Sequence, residues 1–319
     1  MNETELSTIL EPLRPALRVH CYRMLGSASD SDDLVQETML RAWRARDSLA
    51  DPARVKGWVF RIATNACLDE LAKRSRARVL ASQLGDASPG HAYPPAAALE
   101  DAAWLEPMPD AWLAGASDPA ARYTLRESVA LAFVAALQVL SPAQRAALLL
   151  RDVVGLSAEE AAEALDQSVS ATNSVLHRAR VAIEGASDAR VPPRRELSAD
   201  DHRVIEKYMQ ALASHDLDAM IALVHEDLHT TMPPSPTWIA GYADNVVFYR
   251  GMFERWGDED VRCVAIGVNG GLGCAFYRGG ILRAIEAIEV ADGKIRRMHH
   301  FMQPAVIAQF ATFLPSCVP

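Results

Sequence analysis

Between Val79 and Ala121 this 319-residue chain has no Lys or Arg, yet it carries Asp86, Glu100, Asp101, Glu106, Asp110 and Asp118 together with Pro89, Pro94, Pro95, Pro107, Pro109 and Pro119. A proline inside a helix removes a backbone donor and clashes with the preceding turn, so no long helix crosses this stretch. The chain must therefore be divided here. A second break, Gly185 to Glu196, holds Pro192-Pro193 before Arg194-Arg195, and the periodicity changes beyond it. The reading is a helical block over 1–80, an acidic linker over 81–121, a second helical block over 122–185, a short linker over 186–197 and a third block over 198–319. About 100 to 200 residues per domain gives the same two or three domains.

In the first block, Leu25-Gly26 ends a helix on a left-handed cap, and Asp30, Asp32 and Asp33 open another after Ser29. Pro52 starts a third helix that runs from Ala53 to about Arg76. In the second block, Ser141-Pro142 is an N-cap with a first-turn proline, Gly155 is a stop, and Ser157-Ala158-Glu159-Glu160 is a capping box. Ser170 is placed to cap a further helix ending in His177-Arg178-Ala179-Arg180. Short helices joined by a tight turn, the last ending basic, predict a helix-turn-helix. The third block differs in kind. Helical patterns at Asp201 to Ser214, Leu217 to His225 and Ala243 to Trp256 give way to strand patterns at Val261 to Val268, Leu272 to Tyr277, Ala284 to Val290 and Lys294 to Phe301. Asp292-Gly293 is a hairpin signal between the last two strands, and the block reads as α+β.

A net charge of −9 argues against a nucleic-acid partner until it is divided along the chain. Residues 41–80 hold ten Lys or Arg against four acids, a local charge of +6 that suits phosphate. Residues 198–319 carry −5. These opposite signs favour an intramolecular contact between the C-terminal block and the basic segment. Cys21, Cys67, Cys263, Cys274 and Cys317 are scattered without a C-x-x-C pair, so neither a disulfide framework nor a zinc site is signalled. The longest apolar stretch, Val129 to Leu140, is too short for a bilayer. With an acidic N-terminus, the expectation is a cytoplasmic protein without membrane, metal or cofactor.

Asp32-Asp33-Leu34-Val35-Gln36-Glu37-Thr38-Met39-Leu40-Arg41-Ala42-Trp43, followed by Lys56-Gly57-Trp58-Val59-Phe60-Arg61-Ile62-Ala63-Thr64-Asn65-Ala66-Cys67-Leu68-Asp69, resembles region two of the extracytoplasmic-function (ECF) sigma factors of bacterial RNA polymerase. Leu140-Ser141-Pro142-Ala143-Gln144-Arg145, with Leu176-His177-Arg178-Ala179-Arg180, resembles their region four. The resemblance implies two all-α sigma domains, 1–80 and 122–185, that bind core RNA polymerase and promoter DNA at its −10 and −35 elements. It implies a polymerase-docking surface of Asp32, Asp33, Leu34, Gln36, Glu37, Arg41 and Trp43. DNA contacts are implied for Lys56, Trp58, Arg61, Asn65, Lys73, Arg74, Arg76 and Arg78 in region two. In region four they fall to Ser170, Thr172, Asn173, His177 and Arg178. Trp58 and Phe60 suit base stacking and core packing alike. Asn173 stands where the family commonly has Lys or Arg, and Asp166 replaces a frequent turn glycine, so weak autonomous −35 binding is expected. Trp104-Leu105-Glu106-Pro107 resembles a linker motif of ECF factors with C-terminal extensions.

The third block resembles SnoaL-like domains of the nuclear-transport-factor superfamily, a cone of curved sheet and helices around a pocket. Met232-Pro233-Pro234, Trp238, Gly241 and the strand through His299-His300-Phe301 carry that likeness. Tyr208, His215, Met232, Trp238 and His299 are the expected pocket residues for a small ligand. Three roles stay open: modulation of the sigma regions, cyclase or isomerase chemistry, or an interaction module with a filled interior. His225-Glu226-Asp227-Leu228-His229 fits the H-E-x-x-H pattern of zinc peptidases, but a strand begins inside it, so the imidazoles lack a shared helical face.

Overall fold

The computed structural model describes residues 3–49, 51–74, 78–99, 102–113, 129–186 and 197–314. The chain forms two compact units, one of residues 1–78 with 112–193 and one of 79–111 with 194–319.

The first unit is helical: α1 Glu3–Leu10, α2 Arg14–Leu25, α3 Ala28–Arg44, α4 Val55–Lys73, α5 Leu131–Leu137, α6 Pro142–Leu148, α7 Ala158–Ala164 and α8 Val169–Ala186. Gly26 ends α2 at φ 67°, the left-handed cap its sequence predicts. The start of α3 falls two residues earlier than the aspartates suggest, because Ser27 accepts from the Asp30 amide as its cap. Complete capping boxes open α6 at Ser141 with Gln144 and α7 at Ser157 with Glu160. Ser168, rather than Ser170, takes the Ala171 amide at the start of α8, and Asp166 makes the preceding turn at φ 51°. One apolar cluster joins both helical blocks, with Leu17, Val35, Val59 and Phe60 from the first and Leu137, Leu149, Leu156 and Leu176 from the second. Burying each such side chain stabilises the fold by about 1.5–3 kcal/mol.

The second unit is a six-stranded sheet of order β2-β1-β6-β5-β4-β3. Its strands are β1 Val224–Thr231, β2 Trp238–Ala240, β3 Val261–Val268, β4 Gly271–Arg278, β5 Ile281–Ala291 and β6 Lys294–Phe301. β1 and β6 run parallel, and the other neighbours antiparallel. Helices α9 Ala199–Ala213, α10 Leu217–Ala222 and α11 Tyr242–Trp256 pack across one face, and α12 Pro304–Ala311 follows β6. Asp292 and Gly293 both take positive φ at the β5–β6 turn, as a tight hairpin requires. The expected helix to His225 stops at Ala222, and the whole H-E-x-x-H motif lies in β1. His225 Nδ1 accepts the Asp227 amide at 3.0 Å, and His229 lies beside the Trp238 ring.

The acidic stretch expected as a tether instead packs on the sheet domain. Main-chain bonds run from the Ser88 amide to the Trp238 carbonyl (2.7 Å), from Leu99 to Pro234 (3.0 Å) and from Asn269 to Met108 (2.9 Å). Tyr93 Oη accepts from Trp256 Nε1 at 2.7 Å. Val79 bridges to Trp104, so the segment also closes on itself. Trp104, Leu105 and Met108 are buried. Its prolines exclude a long helix, leaving short 3-10 turns at Ala81–Gln83 and Asp110–Leu113 and an extended backbone able to pair with sheet and turns. Asp118 and Pro119 of that stretch, the expected start of the second block at residue 122, and most of the 186–197 linker lie outside the described residues.

Candidate nucleic-acid interface

On α3, Asp32 accepts from Arg18 at 2.7 Å. Arg41 reaches both Glu37 and Asp69 at 2.8 Å, and its guanidinium holds the Glu37 carboxyl below its ordinary range. Trp43 is half-buried under the Arg46 guanidinium, 4.2 Å from its ring centroid, and Leu34 packs against the core. Asp33 and Gln36 point outward, and so does Leu40, a leucine 52% exposed. Their i, i+3, i+7 spacing places these three on one stripe. Leu40 was missed in the sequence because an apolar residue on a helix reads as core.

The α4 residues separate into distinct sets. Asn65 is exposed. Trp58 is half-buried, packs on the core and donates to Ser48 Oγ at 3.0 Å, while Phe60 is fully packed against His20, so the aromatic pair favours packing over stacking. Lys56 Nζ donates to the Val154 carbonyl at 2.8 Å. Arg54 and Arg61 both reach Glu163 of α7, at 3.0 and 3.1 Å. Lys73 extends into solvent near Glu70. Arg74 and Arg78 depart from the expected phosphate footprint, since both bind Asp30 at 2.6 Å with only 18% and 14% of their side chains exposed. Burial works to raise the Asp30 carboxyl pKa, but the two guanidinium groups outweigh it and hold it below normal. Charge in a sequence shows where cations are, not what binds them. Arg76 lies outside the described residues.

On α8, Ser170, Asn173, His177 and Arg178 are exposed and, with Val169 and Ser174, line a shallow surface depression. Thr172 corrects the expectation: it is fully buried, with its hydroxyl unpaired. Ser170 and Thr172 are two positions apart, about 200° around an α-helix, so Thr172 faces the core while Ser170, Asn173 and His177 face outward.

In the sheet domain, Tyr208 of α9 donates to Glu286 Oε2 at 3.0 Å, where Cys274 Sγ also approaches at 3.1 Å. His300 Nδ1 lies 2.8 Å from Glu286 Oε1. Burial alone would raise the Glu286 pKa, but the His300 imidazole and these donors hold it below its ordinary value. Burial, with the neighbouring carboxylate, pushes the Tyr208 phenol well up. Met232 joins the same apolar interior. The other expected pocket residues lie elsewhere. Strand alternation puts His299 on the opposite face from His300, where it bonds Thr231 Oγ1 at 2.8 Å. His215 sits at the α9–α10 turn at φ 54°, and Trp238 Nε1 donates to the Gly85 carbonyl. Glu286 was missed, although one carboxylate inside Ala284-Ile285-Glu286-Ala287-Ile288 is a signal of a buried polar centre. Among the described residues, no cluster of three His, Cys, Asp or Glu side chains could hold a metal, and no helix is long and apolar enough to cross a membrane.

Two helical promoter-reading regions followed by a cone-like α+β domain define a sigma-70-type transcription factor with an appended domain. The chain matches Sigma-70 region 2 over residues 9–77, Sigma-70 region 4 over 130–183 and the SnoaL-like domain over 205–298. It is 38% identical over 306 residues to the ECF RNA polymerase sigma factor SigG of Mycobacterium tuberculosis, covering 93% of this chain and 80% of that one. To SigJ of the same organism it is 30% identical, covering 92% and 90%. The SigJ crystal structure superposes with a TM-score of 0.60 at 25% identity, over 94% of this chain and 98% of that one. The chain belongs to the ECF RNA polymerase sigma factors.

Proposed function

We propose that the α3 stripe Asp33, Gln36 and Leu40, with Glu37 beside it, docks on core RNA polymerase. The α8 row of Ser170, Asn173, His177 and Arg178 reads the −35 element, and α4, through Lys56, Arg61, Asn65 and Lys73, meets the −10 element in the cytoplasm. The observation that carries this reading is the exposed polar and basic row on α8, the second helix of a helix-turn-helix, which is the helix that enters a major groove. The purified chain with core polymerase should direct run-off transcription from a specific promoter. Failure at every candidate promoter, its own included, would sink it.

The cone acts as a regulatory module. It seats the linker between regions two and four through main-chain bonds, so a change in the cone is felt by the segment joining the two DNA-reading parts. A catalytic reading is less well supported, because both Glu286 oxygens already have partners. If Glu286→Gln folded normally yet lost all regulation, a small polar ligand or a reaction at this centre would become the better account.

A further inference from the structure

Cys263 of β3 and Cys274 of β4 lie on the two strands of one hairpin, turned by Asn269 and Gly270 at positive φ. The register pairs Ala265 with Cys274 and Cys263 with Phe276, so the two cysteines are diagonal neighbours on one face of the sheet, the face that α9 covers. Their thiols are hydrogen-bonded to each other. Access to them differs. Cys274 is fully buried, whereas Cys263 is half-buried. Cys274 Sγ also donates to Glu286 Oε2 at 3.1 Å, and His300 holds the other oxygen of that carboxylate at 2.8 Å. The Cys263 hydrogen bond, burial and the Glu286 charge push the Cys274 thiol well up, so it stays protonated beside an ionised carboxylate.

We propose that Cys263 and Cys274 form a dithiol site oxidised by hydroperoxides. Access makes Cys263 the first to react: its sulfur attacks one peroxide oxygen, the O–O bond breaks, and the leaving oxygen departs as water or an alcohol with the thiol proton. The product is a sulfenic acid on Cys263. Cys274 then resolves it. Glu286 Oε2 takes the Cys274 proton, Cys274 Sγ attacks Cys263 Sγ, and the S–O bond breaks as hydroxide leaves and recovers that proton as water. Two thiols have lost two electrons and two protons, and the peroxide has taken up both. A diagonal pair stands on the order of 2–3 Å farther apart at Cβ than a disulfide allows, so β3 must shift to close it. It is the end strand of the sheet, with a ladder neighbour on one side, and can give. A cross-link closed under such strain is readily reduced, which makes the mark transient.

The test treats the full chain, carrying Cys317→Ser so that this thiol does not compete, with hydrogen peroxide. It needs neither polymerase nor promoter, and so stands apart from the sigma reading. No Lys or Arg lies between Arg262 and Arg278, so trypsin releases both cysteines on one peptide. That peptide should lose two hydrogens and resist iodoacetamide, then take two labels after dithiothreitol. Cys21 and Cys67, both buried, should remain thiols at the same dose. Cys274→Ser should stop at the sulfenic acid on Cys263, trapped by dimedone, and Cys263→Ser should leave Cys274 reduced. Glu286→Gln should slow disulfide closure about tenfold or more, so that sulfenic acid accumulates. A 263–278 peptide that keeps both thiols until Cys21 and Cys67 react, or closure in Glu286→Gln as fast as in the parent chain, overturns the proposal. Circular dichroism checks the fold of Glu286→Gln, and the peptide map of the parent chain decides the site without that variant.

Discussion

The guanidinium of Arg145 in α6 donates to the carbonyl oxygen of Met24, in the last turn of α2. The same group also reaches Gln138 Oε1, the Gln138 carbonyl and the Leu140 carbonyl, and it is only 3% exposed. A region-four cation thus serves a C-terminal carbonyl of a region-two helix, where the helix dipole is negative. Burial lowers its pKa to about 10, which leaves it charged at neutral pH.

Arg145→Ala strands those carbonyls in a dry seam, so it should destabilise the first unit by about 2–4 kcal/mol. Urea unfolding monitors this, and a loss below about 0.5 kcal/mol would show that the seam is held otherwise.

His20 and His299 are buried as neutral imidazoles, with pKa values lowered to about 3 by burial and then by nearby cations. Between about pH 6.5 and 3 the unfolded chain binds protons that the native one refuses, so stability falls as pH falls. The slope is about 1.4 kcal/mol per pH unit for each histidine. Denaturation midpoints at pH 7, 6 and 5 should drop steadily, and His299→Gln should flatten the decline. Glu286, whose pKa is lowered, adds stability that is lost as pH falls from its ordinary carboxyl value downward, below the pH 5 end of that series.

Arg61→Ala should reduce the slope of log K against log salt for promoter binding by about 0.9, the contribution of one phosphate contact. Arg78→Ala should leave that slope alone and lower stability instead, because Arg78 serves Asp30. Equal slopes for both variants would return Arg78 to the DNA.

Leu40→Glu should weaken core-polymerase binding about tenfold or more, given about 1.5–3 kcal/mol for burying a leucine. Its unfolding midpoint should not move, since Leu40 already faces water. Titration of labelled polymerase separates the two.

A Cβ on Gly90 would sit 2.4 Å from the Asp244 carbonyl oxygen. Gly90→Val should therefore lift the linker from α11, and hydrogen exchange across residues 82–99 should rise.

Features decided by local chemistry were legible in the chain: the Gly26 cap, the Ser141 N-cap, the Ser157 capping box, and the Asp292-Gly293 turn. Each depends on residues within a few positions. The charge reversal and prolines located the linker but could not say what it lies on, because Trp238, Asn269 and Trp256 are more than 140 positions from their linker partners. Thr172 failed because it lies about 200° around the helix from Ser170, so the two could not share one face. Arg74 and Arg78 failed because Asp30, some 45 residues away, claims them.

The seating of residues 79–111 on the cone bears on how such a factor can be taken apart. The cone is completed by two stretches of chain with all of region four between them, so during synthesis its first piece emerges long before its platform exists. A truncation after Arg195 is for the same reason not a clean deletion. It strips residues 79–111 of their partners Pro234, Trp238 and Asn269, and altered transcription by such a fragment would report an orphaned segment as much as a missing regulator.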